Sequence, residues 1–190
     1  MLNILHLPHR EDRLELLLHQ LKEQNITEYT LWAGKLGTTS RDKRMNIVAG
    51  HKQIVQDAKD RNLPYVIIAE DDLTFTSKKA WDYYLKSMPS DFDIYFGMVY
   101  AKDKDLLEGN RLMKEASGFT LYTVHQRFYD QFLSCPPDRH IDRTITSWCL
   151  NYKFMLPEYF VCYQNDSQSD NTMGKPNLPM FLEGRKLFTS

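Results

Sequence analysis

Three carboxylates, Glu70, Asp71 and Asp72, stand together directly after the apolar run VIIA at 66–69 and directly before Leu73. An acidic run in a loop is ordinarily solvated. This one abuts a segment that reads as a buried strand, and Leu73 and Phe75 resume the apolar pattern at once. At least one carboxylate must then face a cleft. Like charges packed together repel and raise one another's pKa. A hard divalent cation removes that penalty, and Mg²⁺ typically takes one or two carboxylates together with substrate phosphates. The triplet therefore points to a metal-plus-phosphate site, with a solvated charge run as the plain alternative.

Side chains of an extended chain alternate between faces. On that geometry Glu70 and Asp72 share one side and can meet a metal-bound diphosphate. Asp71 faces the other way, toward the backbone or a basic partner.

Two other chemistries use clustered acids. A response-regulator receiver carries its acidic pair after its first strand, whereas two strands and two helices precede this one. The next strand ends at Gly97 without a phosphoacceptor Asp. A two-metal nuclease needs further acids from other strands and a basic groove. The formal net charge is −1, from 24 basic and 25 acidic residues, which gives no footprint for nucleic acid.

The elements that hold the triplet alternate. Residues 2–7 read as a buried strand. The segment EDRLELLLHQLKEQ sets Leu14, Leu17, Leu18 and Leu21 at helical spacing. Residues 29–34 form a second strand, KLGTTSRDK a polar loop, 44–61 a second helix, and 65–69 the third strand. A helix over 77–88 takes Ser77 as its cap. Strands follow at 91–100 and 119–125, separated by a polar, mobile excursion at 101–118. Helices at 126–134 and 142–152 come next, and FMLPEYFVCYQ supplies one or two last strands. The tail from Asn165 is rich in turn formers and reads as irregular. The expectation is a single α/β domain over 1–190 with a mixed, mostly parallel sheet, whose ligand lies at the carboxyl ends of the strands.

Cys135, Cys149 and Cys162 are odd in number and widely spaced, so they signal neither a disulfide framework nor a zinc site. The N-terminal apolar run is too short for a signal peptide, and no stretch reaches the roughly 20 apolar residues of a membrane span. The cytoplasm is the expected compartment, and a peripheral contact with a membrane-linked partner is compatible with it.

The ordered motifs resemble glycosyltransferase family 25, the lipooligosaccharide-type and collagen-type galactosyltransferases, from about residue 2 to residue 171. ILHLPHREDR resembles that family's opening strand with its downstream Arg, here Arg13. WAG, AGHKQIVQDA with His51, VIIAEDDLTF, GFTLYTVHQRFYDQFL, HIDR with Asp142, and QNDSQSD with Gln164, Ser169 and Asp170 follow in the family's order. His6 stands where the family has Asn, and Gly50 where it has Ser. The resemblance implies a GT-A fold, a UDP-galactose-like donor, Mn²⁺ or Mg²⁺, and inverting hexosyl transfer to a glycan acceptor in lipopolysaccharide or other surface-glycan assembly. It gives metal binding to Asp72 and Glu70, and donor binding to His6, Arg13, His51, Glu70 and Asp71. Asp142 is the first choice of base, ionised by a helix start. Asp170 is the second, and Lys175 is a candidate for the diphosphate. The alternative is a degenerate relative that binds a nucleotide or glycan without turnover.

Overall fold

The computed structural model describes residues 1–100, 106–165 and 185–190. Among them the strands are β1 (Leu2–His6), β2 (Tyr29–Ala33), β3 (Tyr65–Glu70), β4 (Leu73–Phe75), β5 (Ile94–Phe96), β6 (Leu107–Glu108) and β7 (Arg111–Leu112). They continue with β8 (Leu121–His125), β9 (Phe154–Met155), β10 (Tyr159–Phe160), β11 (Cys162–Gln164) and β12 (Lys186–Leu187). The helices are α1 (Glu11–Glu23), α2 (Ser40–Asp60), α3 (Ala80–Ser87), α4 (Tyr129–Leu133) and α5 (Ile141–Thr146). The main sheet has the order β2-β1-β3-β8-β5-β9-β7-β6. β1, β2, β3, β5, β6 and β9 run one way; β7 and β8 run against them. The architecture is α/β with a mixed sheet whose strands are mostly aligned.

β3 is central, with β1 on one side and β8 on the other. Val66, Ile67, Ile68 and Ala69 are all buried, as covering both faces of the sheet requires. β1 and β3 run parallel with Leu5 opposite Glu70, so their carboxyl ends open together.

Several local expectations change. α2 starts at Ser40, inside the stretch read as a polar loop. Thr39 and Asp42 form a reciprocal capping box that satisfies its first donors. Gly37 packs so close that a Cβ there would lie 2.3 Å from the Lys43 backbone nitrogen. α3 starts at Ala80 and not at Ser77, whose hydroxyl is buried without a partner among the described residues. The cap comes from another element: the Trp81 amide donates to Gln24 Oε1 at 3.0 Å. On α1, Leu17 and Leu21 are buried, but Leu18 faces out.

Residues 107–112 form a hairpin, β6–β7, that extends the sheet edge, and Leu106, Leu112 and Ala116 lie in the core. The 91–100 strand contracts to β5, antiparallel to β8. α5 is six residues, shorter than expected. At the C-terminus β12 pairs with β10, and Phe188 stacks on Tyr83 with ring centroids 4.3 Å apart. Buried Arg185 donates to Gly109 O at 2.8 Å and Asn110 Oδ1 at 3.0 Å, so these last residues belong to the fold. No helix among the described residues is long and apolar enough to cross a membrane.

Candidate functional site

The acidic triplet lies at the carboxyl end of β3, where the chain turns. β3 closes at Glu70, Asp71 and Asp72 make the turn, and β4 leaves from Leu73 to pair with β11. Strand alternation therefore stops at Glu70, and the turn together with long-range partners orients the other two acids.

Asp71 is buried and fully engaged. Its Oδ2 accepts from the Leu7 amide and meets His6 Nδ1, both at 3.0 Å, and its Oδ1 accepts from Arg13 Nη1 at 2.8 Å. It ties the end of β1 to the first turn of α1. Arg13, expected on the donor, is buried with its guanidinium turned onto Asp71, 3.6 Å from Asp72 Oδ2. Its charge offsets the carboxylates.

Asp72 is held on one oxygen only. Oδ2 accepts from Gln164 Nε2 at 2.8 Å, while Oδ1 is buried with no hydrogen-bond partner among the described residues. Burial pushes its carboxyl up to about 8, and the charge of Glu70 pushes the same way while Arg13 opposes. An orphaned oxygen on a buried acid is unfavourable unless something else completes it.

Glu70 is the most open of the three, its side chain about a quarter exposed. Oε1 lies 3.1 Å from Nε2 of His51, which is wholly buried in α2, and His51 Nδ1 lies 2.7 Å from the Tyr122 hydroxyl of β8. The Glu70 amide donates to Thr120 O, which joins the end of β3 to the chain entering β8.

Asp142 reaches the same end of the sheet. It is the second residue of α5, whose cap position is His140. Its Oδ2 accepts from the Gly118 amide at 3.2 Å and its Oδ1 from Arg143 N at 2.7 Å. Gly118 has φ +101°, and a Cβ there would lie 2.9 Å from Tyr100, so glycine is required. The sequence led us to expect a carboxylate kept readily ionised by the helix start. Burial instead raises its pKa against those two amides, with Glu70 adding to the rise.

Glu70, Asp72, Asp142 and His51 thus gather at one sheet end, while His6, Arg13 and Asp71 form the layer beneath. Asp170, Ser169 and Lys175 lie outside the described residues. Tyr122 and Gly118 escaped the sequence reading. Their roles arise from pairing and packing with residues far away in the chain, which leave no local pattern.

Among the described residues no three His, Cys, Asp or Glu side chains converge on a metal-sized point. The donors present are the free Asp72 Oδ1 with Glu70 nearby. That set suits a hard ion whose other ligands are phosphate oxygens and water, and not a metal caged by protein alone.

No protein-family model matches the chain, and no curated protein does. Among solved structures, A197 from STIV superposes with TM-score 0.51 at 10% identity, over 95% of this chain and 93% of that one. At that identity the likeness is one of fold. A glycosyltransferase involved in the glycosylation of the major capsid of PBCV-1 gives 0.47 at 10% identity, over 82% and 80% of the two chains. A mutant Drosophila β-1,4-galactosyltransferase 7 in complex with manganese, UDP-Gal and xylobiose gives 0.46 at 13% identity, over 91% and 68%.

Proposed function

We propose that the chain is a metal-dependent, inverting glycosyltransferase of the GT-A type, akin to family 25. On this reading it moves a hexose, galactose first, from a uridine diphosphate sugar to a glycan acceptor. Surface-glycan or lipopolysaccharide assembly in the cytoplasm is the setting, with peripheral contact to a membrane-linked acceptor. The observation that carries the reading is the buried, unpartnered Oδ1 of Asp72 at a central strand end, beside Glu70 and Asp142. The ordered motifs of the sequence support it independently.

Asp72 would hold Mn²⁺ or Mg²⁺ through Oδ1, with Glu70 contributing directly or through water. Such an ion supplies Lewis-acid stabilisation of the charge that grows on a leaving diphosphate. Gln164 fixes the other oxygen of Asp72. Asp142 takes the proton from the acceptor hydroxyl, and its raised pKa moves it toward the working range of a general base. Asp170 is the second candidate for base or added ligand. Arg13, His6 and Asp71 brace the strand end on which the donor would lie.

A second reading, a relative that binds without turnover, has one observation in its favour. Arg13 and His6, expected to contact the donor, are both joined to Asp71. A panel of nucleotide sugars with Mn²⁺ and glycan acceptors separates the two. Turnover predicts UDP release from a UDP-hexose that stops with chelator and in Asp72→Asn. A rise in melting temperature with UDP and Mn²⁺, without UDP release from any donor, would leave the binding reading standing alone.

A further inference from the structure

Glu70 is joined to a buried pair whose members are 51 and 122 in the sequence. Both His51 and Tyr122 have no solvent exposure. β3 and β8 pair with Ile68 opposite Tyr122, so Glu70 and Tyr122 lie on the same face of the sheet, and α2 brings His51 between them. Phe119 meets the imidazole edge-on at 6.2 Å, and Tyr122 stacks on Phe132.

The direction of the hydrogen bonds follows from the chemistry of the ends. A carboxylate only accepts, so His51 Nε2–H donates to Glu70 Oε1. In the neutral imidazole Nδ1 is then the acceptor for the Tyr122 O–H, which burial keeps protonated. The chain runs Tyr122 to His51 to Glu70 with every proton assigned. Among the described residues the second oxygen of Glu70 has no protein hydrogen bond. A glutamate side chain otherwise loses considerable rotamer freedom when it engages a ligand.

We infer that Tyr122 and His51 are positioning residues that hold Glu70 on one oxygen and keep the other turned to the ligand. This inference rests on the proposed metal and nucleotide site. It assigns the Tyr122 hydroxyl a share in ligand affinity although the residue touches no ligand. A satisfied core histidine, which would contribute stability alone, is the competing account.

Tyr122→Phe removes one oxygen and keeps the ring, so the core stays filled. The test is UDP affinity by calorimetry at saturating Mn²⁺, for wild type, Tyr122→Phe, Glu70→Ala and the double variant, with melting temperature recorded for each. The positioning role predicts that Tyr122→Phe weakens UDP about three- to tenfold, the effect of one hydrogen bond. In the Glu70→Ala background the same change shifts affinity by less than about twofold, because the group being positioned is gone. Equal losses in both backgrounds, or an unchanged affinity in Tyr122→Phe with a lowered melting temperature, overturn the inference and leave a packing role. A wild-type protein that binds no UDP with Mn²⁺ overturns the proposed site and this inference together. His51→Gln, which keeps a donor, should restore more affinity than His51→Leu; the reverse order also counts against the positioning role.

Discussion

Asp72→Asn should make the metal-free protein more stable at neutral and alkaline pH while removing its response to metal and nucleotide. The carboxyl of Asp72 is raised from 3.8 to about 8, first by burial and then by Glu70. Between those values the folded state keeps a proton that the unfolded chain releases. Stability is then fully present below about 4 and is lost as pH rises toward about 8. At full effect one such group changes stability by about 1.4 kcal/mol per pH unit. For a chain of this size that is roughly 3–6 °C of melting temperature per pH unit. Asparagine has no proton to lose there. Its carbonyl can still accept from Gln164, so the local hydrogen bond survives.

The assay is thermal unfolding in chelator across that pH window, repeated with UDP and Mn²⁺. The wild-type minus variant difference should slope downward with pH in chelator. With ligand the wild type alone should gain stability at the alkaline end. Parallel pH curves for the two proteins would refute the account of a strained, buried acid. An Asp72→Asn variant that still responds to UDP and Mn²⁺ like wild type would refute its role as the ligand.

Asp71→Asn should behave oppositely. It removes the negative charge that buried Arg13 meets at 2.8 Å and weakens the tie between β1 and α1, a loss of about 1–3 kcal/mol, seen as a lower denaturant midpoint. At a temperature where the variant is folded, its UDP–Mn²⁺ affinity should fall less than that of Asp72→Asn. Asp142→Asn should lower kcat by about 10²–10⁴-fold with UDP affinity nearly unchanged. In the wild type the rising limb of kcat against pH should lie above the ordinary carboxylate range, since burial raises this acid. Gly50→Ser places a Cβ 2.7 Å from Leu5 Cδ1. The end of a leucine side chain can shift, so circular dichroism should register a loss of about 1–2 kcal/mol, with UDP affinity intact.

Much of the frame was legible. The apolar run before Glu70 and its helix-bearing flanks gave the α/β order and put the acids at a strand end, because burial on both faces and a periodic apolar stripe each leave a local signature. Helix starts were read less well. Thr39 and Asp42 stood inside a segment too polar to read as helix, and α3 takes its cap from Gln24, which follows α1 directly. The hairpin at 107–112 was missed because the core residues in and around it, Leu106, Leu112 and Ala116, are spaced too irregularly to show a period.

The order of residues along β3 sets which residue types meet at its end, since a strand leading into three carboxylates dictates its own placement. What each acid does there depends on packing between distant elements. Three neighbours in the chain have three environments. Asp71 is neutralised by α1 and the end of β1, Asp72 is buried with one oxygen free, and Glu70 is held by a histidine and a tyrosine from α2 and β8. Charge, burial and hydrogen bonding set the chemistry of a carboxylate, and here all three come from elements far from it in sequence.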